Sequence, residues 1–201
     1  MILKSDKILE RLKFNNENKL VIEPLDREKL ENSNSSSVDL RLGTRFLSTK
    51  HSRSTILDVD KERDINMQKR LMESHYVPFG RKFILHPRDF VLGVTMEWIK
   101  LPYDLSGYVQ GRSSWGRRGL VIATAVGVHT GFSGCLTLEL TNLGEVPIAI
   151  YPGMTICQLF LHDVNTSIKR SDSTGFFGKS KPVLGRIVLD KTAKLLAGIK
   201  E

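Results

Sequence analysis

A nine-residue segment, GRSSWGRRG from Gly111 to Gly119, combines three arginines and two serines with three glycines and no acid. Arginine side chains match the geometry of phosphate oxygens, and backbone amides beside glycine and serine can form a small anion-binding nest. The segment therefore predicts a phosphate site in which Arg112, Arg117 and Arg118 supply charge and Ser113 and Ser114 supply hydroxyls. A solvated basic turn is the alternative.

A second segment, CLTLELTN from Cys135 to Asn142, alternates between apolar and polar residues as a half-buried strand does. The three leucines share one face, and Glu139 lies on the other. A carboxylate on a strand is usually just solvated. If Glu139 instead faces a cleft, it is suited to act as a general base or acid.

A third segment, STGFFGKSKP from Ser173 to Pro182, contains the second half of a Walker A loop in Gly178, Lys179 and Ser180. Ser173 stands where that loop requires its first glycine. The flanking residues predict neither the preceding strand nor the following helix that a P-loop needs. A flexible lid that carries an aromatic ring and a lysine to a nucleotide is a second interpretation, and an uninvolved tail is a third.

The elements that would position these segments are mostly short strands. Strand-like runs separated by glycine, proline and aspartate follow one another over residues 82–163, and residues 38–47 alternate in the same way. Short strands without intervening helices indicate an antiparallel sandwich or jelly roll. Residues 5–13 predict an amphipathic helix capped by Ser5, with a second helical turn near 26–30 and a short helix at the end of the chain.

The charged, weakly periodic residues 48–80 predict a long loop or insertion. We therefore expect one β domain over residues 1–165 that carries this insertion, followed by a tail over residues 166–201.

Composition narrows the class of protein. The 201-residue chain is 40% hydrophobic and 26% charged, which is typical of a globular protein, and no apolar run is long enough for a membrane span. The N-terminus lacks the features of a signal peptide, so we expect a cytoplasmic protein. A net charge of +8 permits nucleic-acid binding, but no nucleic-acid motif accompanies it.

Cys135 and Cys157 predict free buried thiols, and the cysteine signature of zinc-dependent nucleobase deaminases is absent.

Five motifs in order resemble the family that includes dCTP deaminase and the trimeric dUTP pyrophosphatases. They are MILKSDKILERL, SSSVDLRLGTRFL, GRSSWGRRGL, GVHTGFSGCLTLELTN and PIAIYPGMTICQL. The resemblance implies a mainly β, distorted jelly-roll (β-clip) fold, a homotrimer and active sites built by neighbouring subunits. It implies a deoxynucleoside triphosphate bound with Mg²⁺ and no zinc. From the motifs and apolar runs of the sequence itself we expect neither a nucleic acid nor a membrane as partner.

The resemblance also implies roles for individual residues. Glu139 would be the general base that activates water for attack on C4 of cytosine, with Arg117 orienting this carboxylate and the base. Ser113 would be the third catalytic residue. Arg112, Ser113 and Ser114 would contact phosphate oxygens, and the backbone around Ala125 would contact the base. Further implied nucleotide contacts are the hairpin residues His129 and Phe132, and Gln158. Phe177 and Lys179 belong to a tail that would close over the triphosphate. dTTP is a candidate inhibitor.

The hairpin distinguishes between two activities. The pyrophosphatases carry an aspartate where this chain has His129, and a tyrosine where it has Phe132. These differences, together with Glu139, favour hydrolysis of dCTP to dUTP and ammonia. Pyrophosphate release, alone or after deamination to form dUMP, is the alternative, and a non-enzymatic nucleotide-binding trimer is a third hypothesis.

Overall fold

The structure is a computed structural model that describes residues 1–50, 71–123, 127–165, 178–185 and 192. The predictions for Ala125, for Phe177 and for a helix over the final residues therefore lie outside the described residues, apart from Thr192 in that last segment. The helices are α1 (Ser5–Lys13), α2 (Arg27–Ser33) and α3 (Ser113–Gly116). The strands are β1 (Val21–Glu23), β2 (Val38–Arg41), β3 (Arg45–Thr49), β4 (Met72–Tyr76), β5 (Phe83–Leu85), β6 (Phe90–Lys100), β7 (Leu105–Gly111), β8 (Leu120–Ile122), β9 (Gly127–Val128), β10 (Ser133–Asn142), β11 (Ile148–Ile150) and β12 (Thr155–Asp163).

The N-terminal helices form where their apolar spacing and caps predict them. α1 buries Ile8 and Leu12 on one face. Ser5 lies inside this helix and is buried, so the prediction that it is the N-cap is wrong; its backbone amide donates to the carbonyl of Ser35 (2.8 Å). The side chain of Asp26 accepts a hydrogen bond from the amide of Lys29 (2.9 Å) and caps α2.

The strands pair antiparallel in two principal sheets, which confirms the predicted mainly β architecture. The larger sheet has the order β4–β3–β6–β10–β8, with β1 also paired to β6, and the second has the order β2–β12–β7–β9. β5 and β11 form a separate pair. One continuous cluster of buried side chains draws on both sheets, including Phe46 and Leu138 from the larger and Leu40, Val109 and Leu159 from the second. Burial of these apolar faces is the main stabilising contribution.

Residues 48–80 are not one loop. β3 and β4 pair from Arg45↔Tyr76 to Thr49↔Met72, so both ends of the charged segment belong to the larger sheet. β4 is an edge strand whose side chains are exposed or half-buried. An edge strand of this kind needs no apolar alternation, which is why its pattern did not predict it.

A β-bulge shapes the strand pair at the centre of the larger sheet. Pairing of β10 with β6 shifts register between Cys135 and Thr137. The hydroxyl of Thr95 bridges this irregularity: it accepts from the amide of Leu136 (2.9 Å) and donates to the carbonyl of Glu97 (2.9 Å). The buried amide that the bulge leaves without a strand partner is thereby satisfied.

Among the residues described, none of the helices has the length and apolar composition that a bilayer crossing requires.

Candidate active site

The arginine- and serine-rich segment is a tight turn between β7 and β8 that begins with α3. It is tied to β12 at two points: the amide of Arg112 donates to the carbonyl of Ile156 (3.2 Å), and the indole of Trp115 donates to the carbonyl of Thr155 (3.0 Å). Gly119 closes the turn at a φ of 88°, where a Cβ atom would lie 2.7 Å from a backbone nitrogen. Only glycine fits such a position without strain.

The predicted phosphate ligands of this turn differ in exposure. The side chains of Ser113, Ser114 and Arg117 are exposed, whereas Arg112 is half-buried. Arg118 donates to the carbonyl of Ser114 (2.6 Å) and braces the turn. The turn therefore presents two hydroxyls and a guanidinium to solvent beside a more fixed arginine, which is an arrangement suited to an oxyanion.

Asp39 joins two of the predicted ligands. One of its carboxylate oxygens accepts from Arg112 Nη1 (2.8 Å) and from Gln158 Nε2 (3.2 Å), and the other accepts from Lys29 Nζ (2.9 Å). Burial by itself would raise the pKa of Asp39, but the hydrogen bonds and positive charges of Lys29 and Arg112, with the hydrogen bond from Gln158, lower it below its usual value. Sequence reasoning did not identify Asp39 or Lys29 as site residues, although the alternation of residues 38–42 placed Asp39 on the polar face of β2.

A cleft of about 240 Å³ lies between α2, β2 and β12 beside this cluster. Arg112, Gln158, Asp39 and Lys29 line it. Its wall also includes Arg41, Glu97 and the serines Ser33, Ser35 and Ser37. Apolar residues, among them Leu25, Leu30 and Val38, complete the wall. The cleft therefore combines an apolar surface with ionic groups of both signs beside the arginine-rich turn.

Glu139 lies on β10 of the larger sheet, between β6 and the edge strand β8. The predicted alternation of this strand is confirmed: Leu136, Leu138 and Leu140 are buried, and Glu139 is half-buried on the opposite face. Its carbonyl accepts from the amide of Ala123 (2.8 Å) at the end of β8. A half-buried carboxylate on a rigid central strand is well placed to transfer a proton to a bound ligand.

The hairpin between β9 and β10 separates its two predicted ligands. His129 is exposed, whereas Phe132 is half-buried and packs against the core. The amide of Phe132 donates to the carbonyl of His129 (3.2 Å), and the amide of Leu101 donates to the carbonyl of Phe132 (2.8 Å). The imidazole is therefore the side chain that the turn presents outward.

The tail returns to the strand that carries Glu139. The amide of Gly178 donates to the carbonyl of Ser133 (2.7 Å), and the carbonyl of Lys179 accepts from the amide of Cys135 (2.8 Å). Farther along, the amide of Val183 donates to the hydroxyl of Thr137 (3.3 Å). Residues 178–180 form a turn and a β-bridge, and no helix begins within the described residues 178–185, which agrees with the preference for a lid over a P-loop.

Four of the predicted site residues thus form two groups, one on each sheet, whereas Ser113, Ser114, Arg117, His129 and Phe132 join neither. Arg112 and Gln158 meet at Asp39 on the second sheet. Glu139 lies on β10 of the larger sheet, and the backbone of Lys179 pairs with that same strand at Gly134.

The chain is similar to known proteins over most of its length. A family model described as dCTP deaminase-like matches residues 2–164. A protein from Methanobrevibacter smithii named "dCTP deaminase, dUMP-forming" is 38% identical and covers 96% of this chain and 100% of its own. One from Halorubrum lacusprofundi named "dCTP deaminase" is 44% identical over 85% of this chain and 81% of its own.

Among solved structures, the 2′-deoxycytidine 5′-triphosphate deaminase from Agrobacterium tumefaciens aligns with a TM-score of 0.59 and 23% identity over 81% of this chain. The alignment spans about half of that solved chain, 48% of its length. This likeness concerns the fold.

Proposed function

The chain belongs to the dCTP deaminase-like family, and from this premise we propose that it is a hydrolase that removes the 4-amino group of dCTP. The observation that carries the proposal is the position of Glu139. It lies half-buried on the polar face of a central strand whose other face is in the core. The substrate is dCTP as its magnesium complex, and the protein itself requires no zinc.

In this proposal Glu139 takes a proton from water, and the resulting hydroxide attacks C4 of the cytosine ring. The tetrahedral intermediate then receives that proton on its amino nitrogen, the C4–N bond breaks and ammonia leaves, while the proton of the new C4 hydroxyl moves to N3 as the carbonyl forms. Overall, dCTP and water yield dUTP and ammonia. Arg117 orients the carboxylate and the base, and the backbone around Ala125 holds the amino group.

The remaining contacts hold the nucleotide. Arg112, Ser113 and Ser114 bind phosphate oxygens, and Gln158 lies beside them. His129 and Phe132 contact the nucleoside from the hairpin. Phe177 and Lys179 contribute from the tail, which closes over the triphosphate. dTTP competes as an inhibitor at the same site.

We propose further that the nucleotide released is dUMP. The support is the name of the Methanobrevibacter smithii relative, which covers this whole fold. The sequence-based expectation favoured dUTP as the product, because His129 replaces the aspartate of the pyrophosphatases. Release of dUMP would require hydrolysis at the α-phosphate after deamination, and hence pyrophosphate in an amount equal to ammonia.

Neighbouring subunits of a homotrimer complete the site in this proposal. The support is the separation of the predicted residues: Glu139 belongs to one sheet, and the Arg112–Gln158 group to the other. Sedimentation equilibrium should give three times the 22.7 kDa mass of the chain. A monomer that still turns over dCTP would contradict the shared site.

The test of the deaminase uses Glu139→Gln, with Glu145→Gln as the matched control on an exposed turn. Protein, Mg²⁺ and dCTP are incubated, and ammonia, pyrophosphate, dUTP and dUMP are each quantified. Loss of a general base should lower ammonia release by about 10²–10⁴-fold. The control should match the wild type.

Each product pattern has one meaning. Ammonia with dUTP and no pyrophosphate supports deamination and contradicts dUMP release. Ammonia and pyrophosphate in equal amounts support both steps. Wild-type ammonia release by Glu139→Gln would contradict the assigned base, and no ammonia from the wild type would contradict the function itself.

A further inference from the structure

Asp39 is the point at which three different elements meet beside the phosphate-binding turn. Its carboxylate accepts from Arg112 at the end of β7, from Gln158 on β12 and from Lys29 on α2, at 2.8, 3.2 and 2.9 Å. The first two donors share a single oxygen of the carboxylate. Asp39 therefore orients the two side chains together and not independently.

The backbone fixes Asp39 more firmly than its partners. Asp39 and Gln158 are directly opposite in the β2–β12 pairing, and β12 continues the pairing to β7, which Arg112 follows. The carboxylate is one carbon from the strand, whereas arginine and glutamine side chains have several rotatable bonds. A short acceptor on a rigid strand restricts long donors that would otherwise sample many rotamers.

The charge of Asp39 does not by itself favour triphosphate binding. A triphosphate is strongly anionic, so a carboxylate next to Arg112 opposes its binding. Lys29 and Arg112 against Asp39 leave this group of three with a single net positive charge. Replacing the acid by a neutral residue would raise that charge to two, and on electrostatics alone would tighten triphosphate binding.

We propose that Asp39 is a positioning residue, which holds the Arg112 guanidinium and the Gln158 amide in the arrangement that receives the triphosphate of the substrate. The inference rests on the proposed function, in which Arg112 binds phosphate oxygens and Gln158 lies beside them. The proposal predicts that neutralising Asp39 weakens triphosphate binding, whereas electrostatics alone predicts that it tightens it. Lys29 binds the other carboxylate oxygen of Asp39 and neutralises its charge. Charge neutralisation of Asp39 therefore does not require Arg112.

The test compares Asp39→Asn with Asp163→Asn. Asp163 lies on the same sheet and pairs with Arg11 at 3.2 Å, away from the arginine-rich turn. Asp163→Asn therefore removes one negative charge and one ion pair, as Asp39→Asn does, but at a different place. Dissociation constants for magnesium tripolyphosphate and magnesium dCTP are measured by calorimetry, and KM and kcat from ammonia release. Asp39→Asn should weaken both ligands and raise KM by about tenfold with kcat within about twofold of wild type.

A merely structural role would not give this split between KM and kcat, and a melting curve of each variant checks folding. Asp39→Glu keeps the charge and moves the carboxylate outward by one methylene. Positioning predicts a loss of affinity of about threefold or more for this variant also. A purely electrostatic role predicts wild-type affinity for it.

Equal or tighter tripolyphosphate binding by Asp39→Asn would overturn the proposal, as would an equal loss in Asp163→Asn. So would a wild-type protein that binds no triphosphate. Ammonia release by the wild type decides the proposed function separately. If none is released but triphosphate binds, the titrations still decide the role of Asp39.

Discussion

Glu97 and Arg41 form an ion pair between the two sheets whose partners differ sharply in exposure. The Glu97 side chain is 1% exposed and that of Arg41 is 32% exposed. One oxygen of Glu97 accepts from Arg41 Nε (2.7 Å) and the other from the Arg41 amide (2.9 Å), while Nη2 of Arg41 donates to the carbonyl of Pro24 (2.9 Å). We predict that the two halves of this pair are not equally replaceable.

Arg41→Met removes the cation, and within the described part of the chain it leaves the buried carboxylate of Glu97 with the backbone amide of residue 41 as its hydrogen-bond donor. Leaving a buried charge uncompensated lowers the free energy of unfolding by about 3–5 kcal/mol. In a chain of this length, each kcal/mol of lost unfolding free energy lowers Tm by about 2–4 °C, so we expect Tm to fall by about 10 °C. Glu97→Met leaves a partly exposed guanidinium that water can reach, and should lower stability by only about 1–2 kcal/mol.

The measurement is urea unfolding of the two single variants and the double variant, at one protein concentration because association would shift the apparent stability. The double variant should be more stable than Arg41→Met, with a coupling energy of about 2 kcal/mol. Arg27→Met is the matched control, because its pair with Glu23 (3.2 Å) is more than half exposed on both sides, and it should change stability by less than about 0.5 kcal/mol. The reasoning is refuted if Arg41→Met is no more harmful than Glu97→Met, or if the two effects simply add.

Two further predictions concern packing and thiol chemistry. A Cβ atom on Gly107 would lie 2.7 Å from the carbonyl oxygen of Phe160 on the paired strand, so Gly107→Ala should lower the free energy of unfolding by about 1–3 kcal/mol. Gly127→Ala, at a site where no described atom lies within 4 Å, should change it by less than about 0.5 kcal/mol, and equal effects in urea unfolding would contradict the contact. Burial, with the negative charges of Glu97 and Asp39, raises the pKa of the Cys157 thiol to about 12. Cys157 should therefore resist a thiol-reactive disulfide at pH 8 until urea is added, and its labelling in the native protein, detected by mass spectrometry, would contradict that burial.

Much of the local structure could be predicted because it depends on neighbours in sequence. The period-2 pattern around Glu139 identified β10 and the buried side of that strand, since side chains on a strand alternate whatever it pairs with. α1 followed from its apolar stripe. The same local rules failed at Ser5, whose burial among distant residues overrode its capping preference, and at β4, whose edge position freed it from alternation.

The candidate site shows where such rules stop. Composition predicted Arg112 as a phosphate ligand, but its partner Asp39 lies 73 residues before it in the sequence, and Gln158 lies 119 residues after Asp39. Their meeting depends on which strands pair and in what register, and no local pattern contains that information. The return of the tail to β10 has the same origin. Residue types thus specified the chemistry available to this protein, while strand pairing specified which of those groups share an acceptor, because hydrogen bonds form between atoms that folding brings together and not between residues that are adjacent in sequence.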